Sequence, residues 1–221
     1  MAKAVSKPTV RNSSDTRQHI LQAALERFAD GGYAATSIQQ IVDAAKVSKP
    51  ALYYHFTDKA GLYQALVDRA HDERYELMQD AARRGRTVAE KLVEVVAAVF
   101  EFSVRNRELM RLAFATAFSA PGEMPQQGRC CEKGKRNFEF IRALIEAGQA
   151  NGELDPQFAS EELTMGVYGP VTTYVMVGVL LAGCTLDRRT AEHMVAVFLQ
   201  GAATTKPGPA GRQVRPRPPH K

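Results

Sequence analysis

A lysine, two adjacent tyrosines and a histidine crowd into Ser48 to His55 (SKPALYYH), a stretch with one large aliphatic side chain, Leu52. Ammonium, hydroxyl and imidazole groups are the donors that meet phosphate oxygens and base edges in a duplex. Ser48 can start a helix, and Pro50 fits its first turn, where the missing N–H has no partner to lose. Leu52 and Phe56 (i, i+4) give that helix an inward edge, while Lys49, Pro50 and Tyr53 fall on another face.

The preceding helix must hold this one in place. Ile38, Ile41, Val42 and Ala45 recur at i, i+3, i+4 and i+7, one apolar stripe. Thr36 and Ser37 can each cap its start, with Gln39 and Gln40 at the capping-box distance. After a break at Lys46-Val47 the second helix begins, and Thr57 and Asp58 supply cap and acid for a longer third one. Helix, three-residue turn, helix is the spacing of a helix-turn-helix, whose second helix enters the DNA major groove. Two packed helices with nothing to read share that spacing, but they more usually carry charged, solvated outer faces. The aromatic, basic face favours the groove.

Competing chemistry is absent from the pattern. We find no Gly-rich phosphate loop, no metal-ligand spacing and no nucleophile beside a base. Glu161 and Glu162 are neighbours that point apart on a helix, and the five histidines are scattered. Cys130, Cys131 and Cys184 form no ligand set and read as inert thiols of a reducing cytoplasm, with a redox switch as the alternative. No catalytic residue, cofactor, metal or secretion leader is expected.

At 221 residues the chain can bury a sizeable core, as one large domain or a small one joined to a larger. Its net charge of +5 is unevenly spread. Residues 1–59 carry +3, residues 204–221 carry +5, and the middle is acidic at −3. A basic front and tail suit a protein whose ends meet phosphate.

Thr16 to about Leu66 resembles the DNA-binding domain of the tetracycline-repressor (TetR/AcrR) family of bacterial regulators. The carrying residues are ILQAALERFADGGYAATSIQQIVDAAKVSKPALYYHFTDKAGLYQAL, with SKPALYYHF and the adjoining Thr57-Asp58-Lys59 most telling. The match covers the first third; the rest resembles the family in being helical and of suitable length. Lys46 departs from it, standing where the family often has glycine and where a left-handed backbone costs lysine about 1 kcal/mol. The resemblance implies an all-α fold: a three-helix helix-turn-helix domain joined by a long helix to a helical ligand-binding and dimerisation domain.

It also implies DNA contacts at Gln39, Ser48, Lys49, Pro50, Ala51, Tyr53, Tyr54, His55, Thr57 and Lys59. Lys49 can donate to guanine O6/N7, Gln39 can pair with adenine or a phosphate, and Pro50 and Ala51 can touch a thymine methyl. Tyr53, Tyr54 and His55 suit phosphate oxygens, although Tyr54 and His55 can equally brace the helix. Lys59 and the amides near Thr57 lie at a helix N-terminus, a natural phosphate site. Double-stranded DNA bearing a palindromic operator, a second copy of the chain and a small apolar or amphipathic effector are the expected partners. The implied function is a cytoplasmic, nucleoid-associated regulator, a repressor released by that effector. A non-specific DNA-coating protein and a helical enzyme are the alternatives.

The domains expected are a disordered basic arm (1–13), the helix-turn-helix domain (14–60), the effector and dimer domain (61–203) and a disordered basic tail (204–221). Helices are expected at 15–30, 58–82, 87–105, 108–118, 130–150, 163–186 and 187–203, with Ser160 capping the one it precedes and a loop at 121–128. Phe100, Phe114, Phe118, Phe138, Met165 and Tyr168 are candidates to line the effector pocket. No charge interrupts Leu163 to Leu186, long enough to raise a membrane span, but glycines and Pro170 dilute it. A helix buried on most sides, against its own domain and a second copy, is the preferred reading. Val171, Tyr174, Val177, Leu181, Met194 and Phe198 are the candidates for that interface.

Overall fold

Caps decide where the front helices begin and end. The structure, a computed structural model, describes residues 13–118, 127–181 and 185–200, and the elements among them are all α-helices. Helix α1 (Ser13–Ala35) bends where Gly32 takes φ 77°, a backbone that suits glycine. The Thr36 hydroxyl is buried and donates to the carbonyls of Gly32 (2.7 Å) and Arg27 (3.0 Å), so it does not cap the next helix. Ser37 does: Gln40 N donates to its Oγ, and Ser37 N donates to Gln40 Oε1 at 2.7 Å, opening α2 (Ile38–Ala45).

Lys46 then turns left-handed at φ 52°, and Ser48 caps α3 (Lys49–His55) through Ala51 N. Asp58 caps α4 (Lys59–Ala82) by accepting from Gly61 N at 2.7 Å. Ile20, Leu21, Phe28, Ile41, Leu52 and Leu62 close the core of this head. Phe28, Tyr33 and Tyr63 pack mutually with ring centroids 4.9–5.6 Å apart.

At 24 residues, α4 runs about 36 Å out of the head. Thr87 and Glu90 form a capping box at the start of α5 (Val88–Arg105), which packs along α4. Gly85 permits the tight link between them, because a Cβ there would lie 2.4 Å from Lys91 N. Helix α6 (Arg107–Phe118) touches both α1 and α4, so it bridges head and body. Helices α7 (Gln127–Ala150), α8 (Ser160–Leu180) and α9 (Arg188–Gln200) complete the body, with α9 against α5 and α7 against α8.

Several boundaries differ from expectation, α1 among them, which runs past Asp30 to Ala35 across the Gly32 kink. Helix α7 starts at Gln127, inside the expected 121–128 loop. Ser160 lies within α8 and hydrogen-bonds Glu146, while Glu162 accepts from Ala159 N at the helix start. The apolar run leaves α8 at Leu180 and turns through an extended Leu181. Within one chain only 28% of the apolar window of α8 is buried, so burial on most sides is not supplied by the chain itself. The N-terminal arm before Ser13, the tail and the cysteine side chains lie outside the described residues.

Candidate DNA-binding face and effector cavity

Leu52 is the pin of α3: wholly buried, it leaves the rest of a seven-residue helix on the surface. Lys49 and Pro50 are exposed, Tyr53 is 50% and Tyr54 80% exposed, and Ala51 and His55 are half-buried. Tyrosines this open lose apolar stabilisation, which is unusual for a helix with a purely structural role. Gln39 is exposed on α2, its amide donating to Asp43 at 2.8 Å, a contact that DNA could replace. Ser48 spends its hydroxyl on the cap, and the rings of Tyr54 and His55 meet edge to face at 5.0 Å. Arg17 reaches over Phe56 at 5.3 Å, adding a cation beside α3 that the front motif did not reveal.

Lys59 corrects the phosphate expectation. Its ammonium turns inward, donating to the carbonyls of Tyr33 (2.9 Å), Thr36 (2.9 Å) and Ala34 (3.4 Å), over the Tyr33 ring at 4.3 Å. All three ammonium donors are thus engaged at the frayed end of α1. Thr57 is exposed, but Asp58 already occupies the α4 N-terminus with a carboxylate, which opposes a phosphate there.

Behind the head, α4 to α8 enclose a cavity of about 180 Å³. Met78, Val95, Val99, Met110 and Val175 contribute to its apolar wall, and of the aromatic candidates Phe114 and Tyr168 reach it. The other aromatic candidates do not. Phe100 is fully buried behind α5, its ring 5.9 Å from Tyr174; Phe118 stacks on Phe114 but is 73% exposed. Phe138 packs edge-on against the far side of Tyr168, and Met165 is exposed. None of these four is among the residues that line the cavity.

The polar corner comes from α4, where His71, Arg74 and Met78 succeed Ala70 along one side of the helix. That periodic order is legible in sequence, although the apolar stripe conceals it. Arg74 Nη2 donates to Tyr168 Oη at 3.1 Å, and the buried Asn137 accepts from Arg74 Nη2 and Nε at 2.9 and 3.1 Å. Burial, then the charge of Arg74, lowers His71 to about 4; Lys133 and Arg136 add to this while Asp68 opposes it. Burial alone would raise Asp72, but hydrogen bonds from Lys133 and Arg136 outweigh it and hold the carboxyl below its usual range.

Of the interface candidates, Val171 is half-buried and lines the cavity, and Met194 is buried in the chain's own core. Val177 and Phe198 are half-buried, whereas Tyr174 and Leu181 are exposed, along with Val197. Gly166 is exposed too, and a Cβ on it would press to 3.3 Å from Phe198, so α8 and α9 meet closely there.

Comparison with known proteins respects this division. Residues 20–66 match the family described as bacterial regulatory proteins, tetR family. The chain is 30% identical over 206 residues to the HTH-type transcriptional regulator AcrR of Shigella flexneri, covering 89% of this chain and 93% of that one. It is 27% identical over 154 residues to the probable acrEF/envCD operon repressor of Escherichia coli K12, covering 67% and 69%. The transcriptional regulator FadR from Bacillus subtilis, solved in complex with stearoyl-CoA, shares the fold with a TM-score of 0.73 at 18% identity, over 84% of this chain and 99% of that chain. With the front motif matched and a relative aligned across nearly its full length, the chain belongs to the tetR family and is a DNA-binding transcriptional regulator, not an enzyme.

Proposed function

We propose that two copies of this chain bind a near-palindromic operator in the bacterial cytoplasm, repress transcription from it, and leave it when a small apolar or amphipathic effector enters the cavity. The observation that carries this is the open face of α3, with Lys49, Pro50, Tyr53 and Tyr54 outward on a single buried leucine. Residues 14–60 then read DNA and 61–203 sense and pair. Exposed Met165, Tyr174, Leu181 and Val197 on and beside α8 and α9 suit a two-fold four-helix interface, which would cover the face each chain leaves open. The relative named a repressor supports the sign of the response.

Helix α6 offers a route from cavity to head. It supplies Met110 and Phe114 to the cavity and packs on α1, and Tyr63 Oη lies 3.4 Å from Leu112 O. An effector acts as inducer only if it binds the DNA-incompetent arrangement more tightly. Footprinting on the DNA upstream of the chain's own gene tests the proposal. We expect a protected inverted repeat with half-sites about 34–36 Å apart, or a multiple of that, and affinity falling steeply with salt. Uniform protection would identify a DNA-coating protein instead, and no protection at any salt would end the operator reading.

A further inference from the structure

The charge state of the cavity wall specifies its occupant more narrowly than its apolar lining does. Among the described lining residues Arg74 is the charged one, and it takes part in none of the ion pairs among the described residues. Three carboxylates close by on α4 are engaged elsewhere. Glu73 pairs with Arg69 at 2.5 Å, Asp72 with both Lys133 (2.5 Å) and Arg136 (2.8 Å), and Asp68 with Gln64 at 2.9 Å. Among the described residues Arg74 is held by neutral acceptors, the Tyr168 hydroxyl and the Asn137 amide oxygen. Those contacts orient the guanidinium without neutralising it.

A half-buried guanidinium beside valines and methionines is costly unless an anion joins it. Its planar fork suits two oxygens of one oxyanion. A cavity of about 180 Å³ is little larger than one of about 150 Å³ that takes benzene, so it suits a ring or a short chain as the apolar part. We propose that the effector of this cavity is a small amphipathic anion, a carboxylate on an aryl or short alkyl body, with its oxygens on Arg74 and its hydrocarbon among Val95, Val99, Met110, Phe114 and Val171. This rests on the effector role of the cavity under the proposed function and narrows it. Arg74 stands on α4 about 22 Å from Lys59, so an anion drawn to it acts on the helix that enters the head.

The test uses the full chain and two charge series of matched shape: phenylacetate, 2-phenylethanol and 2-phenylethylamine, and octanoate, octan-1-ol and octylamine. Binding is measured by calorimetry and DNA release by fluorescence anisotropy. We expect at least one carboxylate to bind about 10-fold or more tightly than its alcohol, with the amine weakest, and to release DNA. In Arg74→Gln the carboxylate-to-alcohol ratio should fall to about one. If the alcohols bind as tightly as the carboxylates, the anion inference fails while the effector cavity stands. If no compound binds or releases DNA, the cavity reading itself fails and takes the inference with it. An Arg74→Gln ratio equal to that of the parent protein also overturns it. Should that variant not fold, the two charge series on the unaltered chain decide alone.

Discussion

The head and the body expose opposite kinds of side chain. On α3 the open residues are lysine, proline and tyrosine over one buried leucine, whereas the residues open on α8 and α9 include Met165, Tyr174, Leu181 and Val197. A surface of hydroxyls and ammonium groups keeps its water until a polar partner replaces it. A contiguous apolar surface loses free energy in water and is better covered by protein. The helices differ to match. The head holds its short helices α2 and α3 in place with side-chain caps at Ser37 and Ser48, because seven or eight residues are marginal as isolated helices. The body relies on long helices that bury aliphatic stripes against each other.

If the head's open face is functional and not idle surface, Lys49→Ala with Tyr53→Ala should weaken operator binding by at least about 100-fold, from loss of base and phosphate donors in both half-sites. Thermal stability should stay within about 0.5 kcal/mol, since neither side chain is buried. Unchanged affinity with intact folding would remove the distinction between the two surfaces.

Lys59 sharpens the comparison from the opposite side, as a cation of the head that serves structure. Lys59→Met should cost roughly 2 kcal/mol by leaving the carbonyls of Tyr33 and Thr36 short of a donor, a loss readable by urea denaturation. A melt that is unaltered, paired with weakened DNA binding, would return the residue to the phosphate role.

The body should respond to acid through His71. Its folded pKa is lowered to about 4, while an unfolded imidazole takes its proton near 6.5. The unfolded state therefore binds more protons between those values, and stability falls as pH drops from about 6.5 towards about 4. The loss should be on the order of 3 kcal/mol, and His71→Gln should flatten the profile over that window. A parent profile already flat there would refute it.

The smallest expected effect lies in the turn. Lys46 is the non-glycine residue with positive φ among those described, so Lys46→Gly should raise the unfolding free energy by up to about 1 kcal/mol. Destabilisation would mean that the lysine side chain contributes more than its backbone costs.

Local chemistry made the head readable. The α2 stripe, the Ser37–Gln40 box, the Ser48 cap, Pro50 in the first turn and the strained Lys46 are interactions within a few residues, so spacing alone encodes them. The choice between Thr36 and Ser37 was not encoded, because it depends on carbonyls of Gly32 and Arg27 that α1 brings near. Nor could spacing show that Lys59 folds back 23 to 26 residues to carbonyls at the end of α1.

For the chain as a whole, sequence by itself determined the helical pattern and the family, since periodicity, caps and the SKPALYYHF run are written in consecutive residues. Tertiary structure decided which aromatic side chains see the cavity. Phe100, Phe118 and Phe138 have the composition of a lining, yet Phe100 is buried in the core, Phe118 lies open at the end of α6 and Phe138 packs on Tyr168, while His71 and Arg74 reach the cavity from α4. A helix carries several apolar faces, and only the packing of five helices selects the one that faces a shared void.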